Sequence, residues 1–385
     1  MKETTTKLLF SILSAELKGK VLSENEKALC TDEMVLEVLN IAQKHDIAHL
    51  ICTSLLENKL LPDNTLKYQS FLYKAIYRYE KQNYGLNRIR ELLNRIGVPF
   101  ILLKGSVLRQ FYKSPWLRTS CDIDILVKKD DLSQAQNAII KELEYERKGN
   151  STHDISLFSS GGVCLELHFE LKETDFRDSP LLTDIWNSQE IAQISEFEYG
   201  MTNELFLYYH IYHMAKHFIH GGCGIKALVD LWIIKNKMGY DEEKVTLMLK
   251  EIGLFDFYQG ILDLAAVWFC DREHRSVTKE IEDFILKGGA YGVMEQRLAM
   301  SQNREGGKLR YLLSRIFLSY KGMLVYYPSL SKCPMLYPFY QVRRWFKIAF
   351  CGGRKHALDE MRLNQSLASE KKERAKALIN ALGLN

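Results

Sequence analysis

Apolar residues recur at helical spacing through the first quarter of the chain. Thr31-Asp32-Glu33 offers a cap and an acidic first turn, and Val35, Leu36, Val38, Leu39, Ile41 and Ala42 follow. A second helical run covers 47–60 and is closed by Pro62, which cannot continue a helix. A third covers 66–96, with Ile76, Leu86, Ile89, Leu92, Leu93 and Ile96 on its apolar side and many Lys and Arg on the other. It stops at Gly97. At 98 the pattern changes. Val98-Pro99-Phe100-Ile101-Leu102-Leu103 is a short continuous apolar run, which predicts a buried strand. Gly105-Ser106 predicts a turn, 107–112 a short helix and Ser114-Pro115 a loop. Residues 122–127 read as a strand and 131–143 as a helix. Further strands are expected over 145–147, 154–158 and 163–169, the last two joined through Ser159-Ser160-Gly161-Gly162.

Helical spacing returns after about 198. The strongest run is 204–220, followed by a Gly221-Gly222-Cys223-Gly224 break and a helix over 225–237. Residues 308–326 predict one basic amphipathic helix. Pro328, Pro334 and Pro338 predict a loop, 339–350 a helix, and 357–385 a charged helical tail. The expected class is therefore α+β: a small mixed sheet flanked by helical regions on both sides. Four parts are expected: an N-terminal helical region 1–97, an α/β core 98–197, a helical domain 198–305 completing a cleft, and a basic helical region 306–385. A length of 385 residues allows two to three domains.

Composition narrows the class only a little. The chain is 46% hydrophobic and 26% charged, an ordinary globular profile, and its net charge of +4 does not by itself call for nucleic acid. The eight cysteines are scattered with no C-x-x-C pair, which argues against a zinc site and for a reducing, cytoplasmic setting. The first residues show no apolar signal core. No uncharged apolar run approaches about 18 residues, so no spanning helix is expected.

The chemistry concentrates in the strand-rich part. Asp122 and Asp124 alternate with apolar residues in Cys121-Asp122-Ile123-Asp124-Ile125-Leu126-Val127, so both project from one face of a strand. Two carboxylates so placed repel unless a cation lies between them, and hard oxygen ligands favour Mg²⁺ or Mn²⁺. A third carboxylate, Glu166, sits between leucines in Val163-Cys164-Leu165-Glu166-Leu167-His168. Glu170 shares its face by period two, and so does His168. Three such carboxylates suit a two-ion clamp, with metals about 3.5–4 Å apart. Backbone N–H groups at Gly105-Ser106, at the start of a helix, suit a triphosphate. Lys104, ending a buried strand, needs either a phosphate or a carboxylate partner. Arg118 either clamps phosphate or pairs with a site carboxylate.

Leu102-Leu103-Lys104-Gly105-Ser106, then Asp122-Ile123-Asp124, then Leu165-Glu166-Leu167, resembles the DNA polymerase beta-like nucleotidyltransferase superfamily. Adding Leu117-Arg118, His168, His213, Lys216-His217 and Asp230, the chain resembles the bacterial uncharacterised nucleotidyltransferase family. The likeness covers roughly 30–350 in layout and is specific over about 98–235. It implies a nucleotidyltransferase core coupled to helical flanks, and transfer of a nucleoside monophosphate from a nucleoside triphosphate to an acceptor hydroxyl. Asp122, Asp124 and Glu166 are then the catalytic metal ligands, with Lys104, Gly105, Ser106, Arg118, Lys216 and His217 at the nucleotide. In that family Ser106 is often replaced by another small residue, which makes Gly105 the firmer of the two.

On the 204–220 helix, His213 and His217 are spaced i, i+4, as a metal pair would be, while Lys216 and His217 suit contact with nucleotide or acceptor. Asp230 and Lys226 form an i, i+4 opposite-charge pair. Arg343-Arg344-Trp345-Phe346-Lys347 reads either as a helix with a buried aromatic face or as a surface for nucleic acid or anionic lipid. The leading expectation is an enzyme whose acceptor is a protein side chain, an RNA end, a sugar or another small molecule. The competing readings are a nucleotide-binding regulatory or toxin-like module with little turnover, and a helical scaffold for cell-surface polysaccharide machinery.

Overall fold

The computed structural model describes residues 3–61, 65–172, 176–290, 292–350, 354–366 and 369–385. Pro62, the expected helix stop, lies outside them. The architecture is α+β, a mixed sheet flanked by helices on both sides in sequence. The strands are β1 Phe100–Leu102, β2 Asp122–Val127, β3 Tyr145–Asn150, β4 Asp154–Ser159, β5 Cys164–His168, β6 Ile191–Gln193 and β7 Glu198–Met201. They form one seven-stranded sheet in the order β3-β4-β5-β2-β1-β7-β6. The β2–β5 and β1–β7 pairs are parallel and the others antiparallel.

β6 and β7 were not legible as strands. Runs of three and four residues are too short for a period-two signal, and Glu198 breaks the apolar pattern. Tertiary contacts hold them instead. The Phe100 N–H donates to the Phe197 carbonyl at 2.9 Å, and the buried Glu198 carboxylate accepts from Arg90 Nε (3.1 Å) and Nη2 (2.7 Å).

The two sheet faces have different fates. Ile123, Ile125, Val127, Leu165 and Leu167 pack into a core with Leu86, Ile89, Ala135 and Ile139 of the helices Thr65–Arg95 and Leu132–Leu143. Strand alternation then forces Asp122, Asp124, Glu166 and His168 to the opposite face. There a larger core joins helices from both ends of the sequence. Glu3–Lys18, Asp32–Lys44 and Ala48–Glu57 pack with Asn203–Ile219, Ile225–Lys237, Phe255–Phe269 and Ser276–Gly288. Phe10 stacks on Trp268 with ring centroids 4.0 Å apart.

The helix Asn203–Ile219 starts at Thr202, whose hydroxyl accepts from the Leu205 N–H, and ends just before Gly221. Gly221 has φ +85°, and a Cβ there would lie 2.6 Å from the Arg297 backbone nitrogen. Gly221→Ala is expected to destabilise the fold by about 1–3 kcal/mol, read as a lower urea midpoint. A Cβ there meets both an unfavourable backbone region and a neighbour that cannot step aside.

Beyond 305 two expectations change. The single helix over 308–326 is two, Lys308–Ile316 and Tyr320–Tyr326. The break comes at Ser319, whose hydroxyl accepts from the Gly322 N–H and starts the second helix. Pro338 is not in a loop but in the first turn of Tyr337–Phe350, where its missing N–H costs nothing. Among the described residues no helix is long and apolar enough to cross a membrane.

Candidate active site

The parallel register of β2 and β5 sets Asp124 directly beside Glu166 and Asp122 beside Cys164. On the other side of β5, Ser156 faces Glu166 and Asp154 faces His168. Asp124 is 3% exposed and carries two partners on one oxygen. Lys104 Nζ lies 2.7 Å from its Oδ1, and His168 Nε2–H donates to the same atom at 3.0 Å. The same Nε2 stands 3.6 Å from Glu166 Oε2. Ligand atoms of Asp124, Glu166 and His168 lie within 4.8 Å of one another. Asp122 is one pleat away on the same face and is coupled to Asp124 through charge. Glu170 is drawn off the site by an ion pair with Lys129 at 2.6 Å.

The electrostatics divide the three carboxylates unequally. Burial pushes the Asp124 carboxyl up, but Lys104 and then His168 overcome this and hold it well below the usual carboxylate range. Glu166 has no such counterion. Burial, with the Asp124 charge next, pushes it up to about 8. Asp122 is raised for the same two reasons. Asp122 and Glu166 thus resist ionising beside Asp124, and a divalent cation relieves such a donor set.

Lys104 sits at the end of β1 with φ +45° and ψ −119°, a conformation rarely adopted by any residue with a Cβ. It is held there from both sides. The Leu103 N–H donates to the Asp124 carbonyl at 3.1 Å, and the Ser106 N–H closes a turn onto the Leu103 carbonyl at 3.1 Å. The lysine's partner is therefore a carboxylate of the site. Gly105 and Ser106 begin the short helix Gly105–Leu108, with the Ser106 N–H committed to that turn.

Arg118 pairs with a carboxylate that does not belong to the sheet. Its Nε donates to Asp230 Oδ1 at 2.6 Å and its Nη1 to the Thr119 carbonyl at 2.5 Å. The same Asp230 oxygen accepts from the Tyr112 hydroxyl at 2.6 Å. The expected Lys226–Asp230 pair is not formed. Lys226 Nζ instead reaches Asp46 Oδ2 at 3.0 Å, an atom that also accepts from Thr119 Oγ1 at 3.1 Å. Helix spacing brought 226 and 230 to one side, but each found a partner across the packing interface.

Residues 32–270 match a family model described as uncharacterised nucleotidyltransferase. The chain belongs to that family. The match runs from the N-terminal helices through the sheet to the end of Phe255–Phe269, so it takes in both flanks of the carboxylate face. The solution structure of the antibiotic-resistance factor ANT(2'')-Ia overlaps 48% of this chain and 96% of its own, at 13% identity and a TM-score of 0.35. No curated protein matches the sequence.

Membership makes the chain a nucleotidyltransferase, whose donor is a nucleoside triphosphate. Three cations stand near Asp122: the Lys104, Lys226 and Arg118 charges favour its ionised form, though burial and the Asp124 charge outweigh them. The helix Asn203–Ile219 faces the same place. Burial, followed by the Lys104 charge, pushes the His213 imidazole well below its ordinary value, and Tyr209 acts on Lys104 in turn. His213 Nε2 and His217 Nε2 are 2.9 Å apart, and the Tyr209 ring leans on His213 with centroids 6.1 Å apart. His217 is exposed and Lys216 half-buried. Sequence reasoning set His213 aside in favour of those two. The stripe 209, 213, 217 at i, i+4 spacing was the signal that ties them together. It also missed His153 and Asp154, whose ligand atoms lie within 4.8 Å of His168. The one clue to them was their place at the entry to β4, which the Ser159-Ser160-Gly161-Gly162 turn joins to β5; the register that sets Asp154 opposite His168 is not readable from spacing.

Proposed function

We propose that this nucleotidyltransferase moves a nucleoside monophosphate from a nucleoside triphosphate to a hydroxyl of its acceptor, with Mg²⁺ or Mn²⁺ held by Asp122, Asp124 and Glu166. One observation carries the reading: the β2–β5 register sets Asp124 against Glu166, with Asp122 one pleat away and Lys104 bonded to Asp124. A divalent cation held by these carboxylates would supply positive charge for the phosphates and the leaving pyrophosphate. The protein's own residues do the rest. Lys104 and Arg118, with the Gly105-Ser106 turn, bind and orient the triphosphate beside the carboxylates. Tyr209, His213, Lys216 and His217 form the opposite wall, where the acceptor is positioned. The thiols of Cys30, Cys52 and Cys164, none in a disulfide, suit a reducing cytoplasmic setting.

Titration of Mg²⁺ and then a nucleoside triphosphate by calorimetry is expected to show nucleotide binding that depends on the metal. Incubation with labelled nucleoside triphosphates and cell extract is expected to mark one acceptor species. Metal-independent binding, or none, counts against the site. Metal-dependent binding without any labelled product points instead to a nucleotide-binding module with little turnover.

A further inference from the structure

The stretch 306–358 contains ten Lys and Arg and no Asp or Glu, leaving 42 basic against 48 acidic residues in the rest of the chain. It is also where the protein turns a conventional amphipathic helix inside out. In Tyr337–Phe350 the inward side is polar. Gln341 is buried and donates to the Leu318 carbonyl at 2.5 Å, and Tyr337 donates to the same oxygen at 2.5 Å. Arg344 Nη2 and Trp345 Nε1 donate to the Arg315 and Ile316 carbonyls, each at 2.8 Å. Those carbonyls end the helix Lys308–Ile316 and have no partner within it. Because the polar side chains are used inward, the apolar ones point out. Phe339, Val342, Phe346 and Phe350 form an i, i+3, i+7, i+11 stripe in solvent, Phe350 at 78% exposure, and Arg343 and Lys347 flank it.

The helix Lys308–Ile316 does the same. None of its residues is buried, and Leu309, Leu313 and the following Phe317 form a second exposed stripe at i, i+4, i+8. Phe317 meets the Trp345 ring edge to face, with centroids 5.4 Å apart, which ties the two helices together. The segment is anchored to the main core at its two ends, through Tyr311 on one side and Leu363, Ala375 and Leu378 on the other.

We propose that this projecting segment docks the protein on an anionic membrane surface, its two helices lying in the interface with the apolar stripes among the acyl chains. Large aliphatic and aromatic side chains on one face, bordered by Lys and Arg with no acidic residue, are what that interface selects. A second copy of this chain is a poor occupant, because apposing the same face brings the exposed Arg343 and Lys347 against the same cations of the other copy. Nucleic acid takes basic and aromatic residues, but it leaves Leu309, Leu313 and Val342 in water. The proposal does not depend on the chemistry of the sheet.

The full chain is tested by sedimentation with vesicles of phosphatidylcholine alone or mixed with phosphatidylglycerol, across a range of salt. Binding is expected only with the anionic lipid, weakening as salt rises. Phe346→Asp with Phe350→Asp, and separately Arg343→Glu with Lys347→Glu, are expected to cut partitioning by at least about tenfold. All four side chains are on the outer face, so far-UV circular dichroism and metal-dependent nucleotide binding stay as in the wild type. Four results overturn the proposal: no vesicle binding, equal binding by wild type and both variants, binding to single-stranded RNA but not to vesicles, or a dimer that Phe346→Asp dissolves with no vesicle binding.

Discussion

Replacing Glu166 with Gln is expected to reduce nucleotidyl transfer by about 10²–10³-fold while leaving the protein folded. Glu166 is the ligand whose loss can be separated from structure. Its contact with His168 Nε2 is long, 3.6 Å, and its carboxyl is already pushed up to about 8, so a neutral amide of the same shape resembles its state without metal. Asp124→Asn is a poorer test, because it strips the partner from Lys104, a largely buried cation. The sign of the pH effect follows. A carboxyl with a raised folded pKa binds its proton more tightly in the folded state. The metal-free protein therefore loses stability as pH rises from the unfolded value through about 8, and is flat beyond. Metal must displace that proton, so Mg²⁺ affinity of the wild type is expected to rise with pH up to about 8 and to release protons near neutrality. Glu166→Gln is expected to lose both trends and to melt no lower than wild type. Calorimetry in buffers of different ionisation enthalpy measures the proton release. A Gln variant with wild-type turnover removes Glu166 from the site.

The largest loss of stability is expected from Asp230→Ala, about 3–5 kcal/mol. Asp230 is 2% exposed and takes the Arg118 guanidinium and the Tyr112 hydroxyl on one oxygen. Burial disfavours the Arg118 charge, and Asp230 overcomes this and raises its pKa above the ordinary value. Removing the carboxylate leaves the guanidinium buried and uncompensated, which is the costly way to break such a pair. The pair also ties the Ile225–Lys237 helix to the segment that leads from Gly105 into β2, so the same change loosens the chain ahead of Asp122. Urea unfolding measures the loss. Arg118→Met combined with Asp230→Leu is expected to recover much of it, since no buried charge then remains. A loss below about 1 kcal/mol in the single variant means the pair is hydrated and weak.

How much of this was readable from the chain depends on the range of the interaction. Asp122 and Asp124 were assigned to one face because strand alternation is local, and the leucines around Glu166 carry the same information. The helices Asp32–Lys44, Leu132–Leu143 and Asn203–Ile219 were readable because apolar periodicity survives over three or more turns. The Gly-rich break after 220 was likewise written in a residue with unusual backbone freedom, Gly221, whereas at the Gly-Ser turn the positive φ falls on Lys104.

What alternation cannot supply is register, and what spacing cannot supply is a partner. That Asp124 meets Glu166 depends on β5 lying parallel to β2, more than 40 residues later in the chain. The partners of Lys104, Arg118 and Lys226 were each decided by which charged side chain arrived across an interface: Asp124, Asp230 and Asp46. β6 and β7 are strands only because β1 leaves an edge for β7 to pair with. The basic, aromatic stretch after 305 was plain in composition, yet composition could not say which side of its helices faces in. Tertiary structure decided that by giving the carbonyls around Arg315, Ile316 and Leu318 to the polar side chains, which left the phenylalanines outside. Patterns of a few residues obey backbone geometry and are local; pairings between distant segments minimise buried, unpartnered charge over the whole molecule, and no window of sequence contains that sum.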